Sequence, residues 1–343
     1  MKVSFCIIAY NEENALPSLL QDVINQNYPH ELMEVVLVDG NSTDSTKQVM
    51  KDFKEQHHDF YNVKILDNLK RKQASGWNIA IENASGDIII RIDAHASVPS
   101  DFVSKNVACI ESGEDICGGQ RPNIIDENTP WKETLLLAES SMFGSSIAPY
   151  RRNIGKTYVK SMFHAAYKKE VFQKAGLFNE SLGRTEDNEM HYRMREAGYK
   201  FCFDSNIISY QHTRSNLKKM LKQKYQNGYW VGLTVGVCPK CLSIYHFIPF
   251  TFIWSILFSV GMWGVGMPFF AIMLSVIYMS MNIIMAVTAV WDKRFYIQYI
   301  MLPVIFLSLH IVYGWGTIMG IIKLPAWLQE QKKRSKLQQG EVK

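Results

Sequence analysis

Ile88-Ile89-Ile90-Arg91-Ile92-Asp93-Ala94-His95 is a short apolar run that ends on a carboxylate and an imidazole. Its length and bulk predict a strand over residues 88–92, buried on both faces. Upstream, apolar runs alternate with helical spacing: strands over 3–9, 35–38 and 63–66, helices over 15–25, 43–53 and 73–83. That βαβαβαβ order predicts an α/β fold with a mostly parallel sheet flanked by helices. Ligands of such sheets bind beyond the carboxyl ends of the strands. Asn11, Asp39 and Asp93 each stand just past a strand end, so the pattern itself converges on one candidate site.

The middle of the chain is more mixed. Residues 111–119 read as turn, 131–141 as helix, 161–167 as strand, 169–175 as helix and 206–210 as strand. Thr185 is placed to cap a helix over 186–197, which Gly198 stops. Leu217, Met220, Leu221, Lys224 and Tyr225 keep helical spacing with lysines between them. This predicts an amphipathic basic helix lying on a membrane surface.

With 343 residues the chain is long enough for one large or two modest domains. The mean hydropathy of -0.08 conceals a segregation. Residues 245–322 are almost uncharged, interrupted only by Trp291-Asp292-Lys293-Arg294. Three segments, 247–265, 269–290 and 297–322, have the length of membrane spans. Gly266-Met267-Pro268 makes a tight hairpin of the first two. Pro303 and the series Gly314, Gly316, Gly320 mark the third as a re-entrant or interfacial candidate.

Residues 1–8 are apolar but run into Tyr10-Asn11-Glu12-Glu13 without a small-residue cleavage site. They read as a buried first strand rather than a signal peptide. The net charge of +5 is mild and argues against a nucleic-acid partner. Lys218, Lys219, Lys222 and Lys224 precede the apolar region, and Lys332, Lys333, Arg334 and Lys336 follow it. Both clusters suit the cytoplasmic face of an anionic membrane, although three full spans would separate them. Of the six cysteines only Cys238 and Cys241 have ligand spacing, and no second pair completes a four-ligand zinc site. A juxtamembrane turn is the simpler reading.

Four motifs appear in order: Ala9-Tyr10-Asn11-Glu12-Glu13, Val38-Asp39-Gly40-Asn41-Ser42-Thr43-Asp44, Asp93-Ala94-His95 and Thr185-Glu186-Asp187. Together, over roughly residues 1–235, they resemble the inverting family 2 glycosyltransferases of the GT-A fold. The likeness is greatest to membrane-attached members that build bacterial exopolysaccharides of the succinoglycan type. The resemblance implies a cytosolic catalytic domain over 1–235, with a nucleotide-binding half over 1–108 and an acceptor half with the interface helix over 109–235. A membrane region over 245–322 and a basic cytosolic tail over 323–343 would follow. It implies a multi-pass protein of the cytoplasmic membrane, with nucleotide sugars, membrane lipids and a lipid-linked glycan as partners. Direct transfer to a polyprenyl phosphate is the enzymatic alternative. A non-catalytic membrane scaffold that binds nucleotide sugars is the alternative of another class.

The resemblance also assigns roles. Ala9, Tyr10, Asn11, Glu12 and Asp39 would line the donor pocket, with Arg71 of Lys70-Arg71-Lys72 turned to the donor. Locally, Asp39 and Ser42 also admit a reading as caps of the next helix, and Lys70-Arg71-Lys72 reads equally as a solvated charge run. Asp93 and His95 would hold Mn2+ or Mg2+ against the donor diphosphate, His95 standing where the family more often has a second aspartate. Imidazole suits manganese better than magnesium. Asp187 would be the general base; taken alone, Glu186 and Asp187 are also what a helix N-terminus attracts. Glu186, His212, Arg214, Gln226 and Trp230 are candidates for acceptor or diphosphate contacts. Gln226 and Trp230 have the spacing of a processive Gln-x-x-Arg-Trp motif, but Tyr229 replaces the arginine, which argues for single-sugar addition. His57, His58 and His164 read as surface or packing residues.

Overall fold

The structure is a computed structural model that describes residues 1–144, 155–213 and 216–340. It forms two compact units, Met1–Ile124 with Ala148–His212, and Ile125–Ile147 with Thr213–Lys343.

In the first unit β1 (Val3–Ala9), β2 (Met33–Asp39), β3 (Asn62–Asp67) and β4 (Ile88–Asp93) are joined by helices α1 (Leu16–Ile24), α2 (Thr46–Gln56) and α3 (Gln73–Asn83). The four strands pair in parallel in the order β3-β2-β1-β4. Ala9 pairs with Asp39, Asp39 with Asp67, and Ile8 with Asp93, so the strands end level and their following loops emerge at one edge. Alternate residues feed two cores. Phe5, Ile7, Leu37, Ile90 and Ile92 pack against α1 and α2. Cys6, Val36, Val38 and Ile89 pack with Trp77, Ala80 and Ile81 of α3.

Next come β5 (Ala96–Ser97), α4 (Phe102–Glu111), β6 (Ile116–Gln120) and β7 (Asn123–Ile124). Helix α4 had no counterpart in the sequence reading, and the turn expected over 111–119 becomes the start of β6. Gly119 is required there, since a Cβ would collide with the backbone oxygens of Ile207 and Asp204. The second unit takes α5 (Pro130–Ser140), after which the first resumes with β8 (Lys156–Val159), β9 (Ala166–Lys168) and α6 (Lys169–Ala175). Then follow α7 (Glu186–Glu196), β10 (Phe201–Ile208) and β11 (Tyr210–His212). The complete sheet runs β3-β2-β1-β4-β9-β6-β10-β8, and β5-β11-β7 form a small second sheet. Thr185 occupies the N-cap position of α7 without a side-chain cap bond, and Gly198 follows the helix at φ 94°.

The second unit is helical: α5, α8 (Leu217–Thr234), α9 (Ile248–Gly264), α10 (Phe269–Val290) and α11 (Leu302–Gly340). The stretches Ile244–Gly264, Phe269–Val290 and Ile297–Arg334 are long and apolar enough to cross a membrane. Residues 213–235, expected with the catalytic domain, belong instead to this unit. Gly228 and Gly232 of α8 face Gly316 and Gly320 of α11. A Cβ on any of the four would strike a backbone oxygen, of Tyr313, Thr317, Tyr225 and Tyr229 respectively. Small residues at four-residue spacing let two helix backbones touch, as they do within membranes. Helix α8 is therefore docked along α11. The same glycines, and Pro303 in the first turn of α11, do not interrupt the third apolar segment. Helix α11 continues through residues 323–340, which were expected to be a separate tail.

Candidate active site

Three of the four strand-end loops contain a non-glycine residue at positive φ: Asn11 after β1 at 55°, Asn41 after β2 at 59°, and Arg71 after β3 at 55°. Such conformations persist where surrounding structure enforces them, and they cluster at ligand sites. Here hydrogen bonds enforce them. The Asn11 amide donates to Ser42 Oγ at 3.0 Å, and Asn11 Oδ1 accepts from the Thr43 amide at 2.8 Å. The Glu12 amide donates to Thr46 Oγ1 at 2.8 Å. Asn11 thus ties the loop after β1 to the loop after β2 through its side-chain oxygen.

Gly40 is not the left-handed residue of the second loop. Its lack of a side chain answers to crowding, since a Cβ would lie 3.0 Å from Tyr10 Cβ and 3.1 Å from Ala9 O. Buried Asp39 accepts weakly from the Ser42 amide through both oxygens, at 3.2 and 3.3 Å. Tyr10 is 48% exposed, with the Arg71 guanidinium 6.0 Å from its ring centroid. With its amide oriented to satisfy both groups, Asn41 accepts from Arg71 Nη2 at 3.0 Å. Of the three basic neighbours, Lys70 and Lys72 go to Glu180 and Arg71 alone turns to Tyr10. An aromatic face, a buried carboxylate and a cation thus meet at the ends of β1, β2 and β3.

At the end of β4, Asp93 and His95 are each backed by a second group. Glu12 Oε1 lies 3.1 Å from His95 Nδ1, and His164 Nε2 lies 3.5 Å from Asp93 Oδ2. His164, expected to be a packing residue, is buried at φ 50° with Nδ1 on Ser209 Oγ at 2.9 Å. A proton on Nε2 would face Asp93, with the Ser209 hydroxyl donating to Nδ1. Burial pushes the Asp93 carboxyl up, but the hydrogen bond and attraction of His164, with the nearby His95 and Arg121, outweigh it and hold Asp93 well below the usual carboxylate range. Burial holds His164 below the usual histidine value, against the pull of Asp93.

Helix α7 opens with two adjacent buried acids, Glu186 at 2% and Asp187 at 7% exposure. They face different surroundings. Burial first, and then the neighbouring Asp187 charge, raise Glu186 to about 8, and its Oε2 has no hydrogen-bond partner. Asp187 Oδ1 accepts from Arg91 Nη2 at 3.0 Å. The Arg91 guanidinium lies 4.4 Å from the ring centroids of both Trp77 and Phe178. It also feels the charge of Asp93, two residues along its strand and on the same face. One buried cation thus holds Asp187 and stands two residues from Asp93 on the same strand face. Arg91 was overlooked, yet it is the only charged residue within the run 88–92.

His212 Nε2 contacts Ser97 Oγ at 3.0 Å within the small sheet. Gln226 and Trp230 lie on α8 in the second unit, where Trp230 meets Trp327 edge-on. Arg214 lies outside the described residues. No group of three His, Cys, Asp or Glu side chains able to hold a metal occurs among the described residues.

The chain is 29% identical over 94% of its length to "Dolichyl N-acetyl-alpha-D-glucosaminyl phosphate 3-beta-D-2,3-diacetamido-2,3-dideoxy-beta-D-glucuronosyltransferase" of Methanococcus voltae, covering 97% of that protein. It is 26% identical to the succinoglycan biosynthesis protein ExoA of Rhizobium meliloti, over 57% of this chain and 58% of the relative. The mannosyltransferase PcManGT of Pyrobaculum calidifontis, solved with GDP-Man and Mn2+, superposes with a TM-score of 0.64 at 16% identity, over 92% of this chain and 87% of that one. The shared architecture is GT-A-like: a mostly parallel sheet flanked by helices, followed here by apolar helices. The model of glycosyl transferase family 2 matches residues 4–176, which run from β1 to the end of α6 and include the loops after β1, β2 and β3 and Asp93-Ala94-His95. The protein is a glycosyltransferase, and it belongs to family 2.

Proposed function

We propose that the protein transfers one sugar, with inversion, from a UDP-sugar to a glycan carried on a polyprenyl phosphate or diphosphate. The reading is carried by Asp187, held by the buried Arg91 that stands two residues before Asp93 on the same strand face. The acceptor hydroxyl attacks the anomeric carbon and gives its proton to Asp187. The new carbon–oxygen bond forms as the bond to the diphosphate breaks, and the nucleoside diphosphate leaves with that electron pair. Arg71, Tyr10 and Asp39 orient the donor. Helix α7 presents Asp187 at its N-terminus, where the helix dipole favours negative charge.

Asp93 and His95 fit a divalent cation, Mn2+ or Mg2+. Each has the backing group that orients a metal ligand, His164 for the carboxylate and Glu12 for the imidazole. A cation there would supply the positive charge that a departing diphosphate needs.

The acceptor class is supported by the Methanococcus voltae relative, whose name describes transfer to a lipid-phosphate-linked sugar and which matches nearly end to end. Helices able to cross a membrane would bring the catalytic unit to such an acceptor. We place the protein in the cytoplasmic membrane as a multi-pass enzyme. Its catalytic unit then faces the cytosol, where nucleotide sugars are made and the lysines of α8 meet anionic lipid. The test is a donor screen with detergent-purified protein, read as released nucleoside diphosphate. Bare polyprenyl phosphate is compared with polyprenyl-phosphate-linked monosaccharide as acceptor, and the product anomer is assigned by NMR. Turnover on the bare phosphate alone would select the polyprenyl-phosphate alternative. Donor binding without turnover would favour a scaffold, and retained anomeric configuration would exclude inversion.

A further inference from the structure

We propose that Arg91 is the positioning residue of Asp187, supplying the countercharge and the fixed geometry that make this buried carboxylate the proton acceptor. The inference rests on the reading of Asp187 as the base. A carboxylate this deeply buried needs a partner to remain charged. Asp187 is faced by Arg91 from β4, by Tyr167 from β9, and by Glu186 and His191 on its own helix. Burial pushes the Tyr167 phenol up to about 12 and His191 down to about 4, so both are neutral at pH 7, and Glu186 is largely protonated there. The cation among these groups is Arg91.

Its orientation is fixed independently of the carboxylate. Trp77 and Phe178 hold the guanidinium at 4.4 Å from each ring, and only a planar, weakly hydrated cation suits such a slot. The bond of 3.0 Å then engages Oδ1. A core that merely needed filling would be served as well or better by an apolar side chain, because desolvating an ion pair is expensive. An arginine inside an otherwise apolar strand, aimed at the first turn of the helix that carries the base, answers to a chemical need.

The experiment compares Arg91→Met, Arg91→Lys, Asp187→Asn and the double variant Arg91→Met/Asp187→Asn. Turnover is measured with the donor and acceptor from the screen above. UDP titration and thermal unfolding of each purified variant establish that it is folded. Arg91→Met is expected to lower kcat by ~10²-fold with donor KM within about threefold, and Arg91→Lys to recover part of that loss. In the Asp187→Asn background, Arg91→Met should cost less than about threefold, because residues that act as one unit are not additive. Equal losses in both backgrounds, or full kcat with only a lowered melting temperature, would overturn the role of Arg91. If Arg91→Met does not fold, Arg91→Lys decides. Its ammonium cannot lie flat between the rings, so kcat must fall at least ~5-fold at unchanged KM, and a wild-type kcat refutes the inference. Near-normal turnover by Asp187→Asn would instead remove the base assignment itself.

Discussion

Replacing His191 by glutamine should remove part of the acid sensitivity of the catalytic unit. His191 is fully buried within α7, with Nδ1 on Ser161 Oγ at 2.9 Å and Nε2 on the Tyr167 hydroxyl at 3.1 Å. Burial, with smaller contributions from Arg91 and Arg195 and opposed by Asp187, pushes its pKa down to about 4. The unfolded chain titrates near 6.5. Between those values the unfolded state binds more protons, so the stabilisation is complete above pH ~6.5 and is lost as pH falls towards 4. That gap amounts to roughly 3 kcal/mol when fully expressed, and to about 2 kcal/mol at pH 5.

Glu186 acts with the opposite sign. Its pKa is raised to about 8, so its contribution is full below about pH 4.5 and fades as pH rises through 8. The two windows overlap, and the total profile of the wild type hides both. The difference between wild type and His191→Gln isolates the histidine, because glutamine keeps polar contacts to Ser161 and Tyr167 without titrating. Thermal unfolding in detergent between pH 7.5 and 5 is the assay. The wild type should lose roughly 4–8 °C more than the variant across that interval. Parallel pH slopes would refute the account and mean that His191 is not held neutral by burial.

Asp187→Asn should lower transfer by at least ~10²-fold while UDP titration is unaffected. Glu186→Gln, which copies a carboxylic acid already neutral at pH 7, should stay within about threefold of wild type. Removing divalent cations with a chelator should abolish transfer, and Mn2+ or Mg2+ should restore it. His95→Ala should raise the metal concentration needed for half-maximal rate by roughly 10-fold or more; an unchanged requirement would leave Asp93 as the sole ligand. Gly232→Leu should wedge α8 from α11 and lower thermal stability by about 1–3 kcal/mol. Gly261→Leu on α9, where a Cβ meets nothing within 4 Å, is the matched control.

Much of the protein was legible as a sequence because the relevant signals are local. The four apolar runs that became β1 to β4 needed no distant partner to be recognised, and neither did the span-length helices. Asp39 and Asp93 were found because parallel strands end level, so residues just past their ends share an edge. Asp187 was singled out through a motif at the start of its helix. Only the tertiary structure decided the rest. Arg91 and Asp187 are 96 residues apart in the chain, and their pairing depends on the fold bringing the first turn of α7 to β4. His164 was dismissed for want of an acidic neighbour in sequence and found one in Asp93 through the pairing of β9 with β4. The glycines of α11 read as weak points until α8 lay against them. The physical reason is common to all three: a buried charge or a bare backbone is unfavourable alone. Only the partner that the fold brings to it, from far along the chain, reveals why it is there.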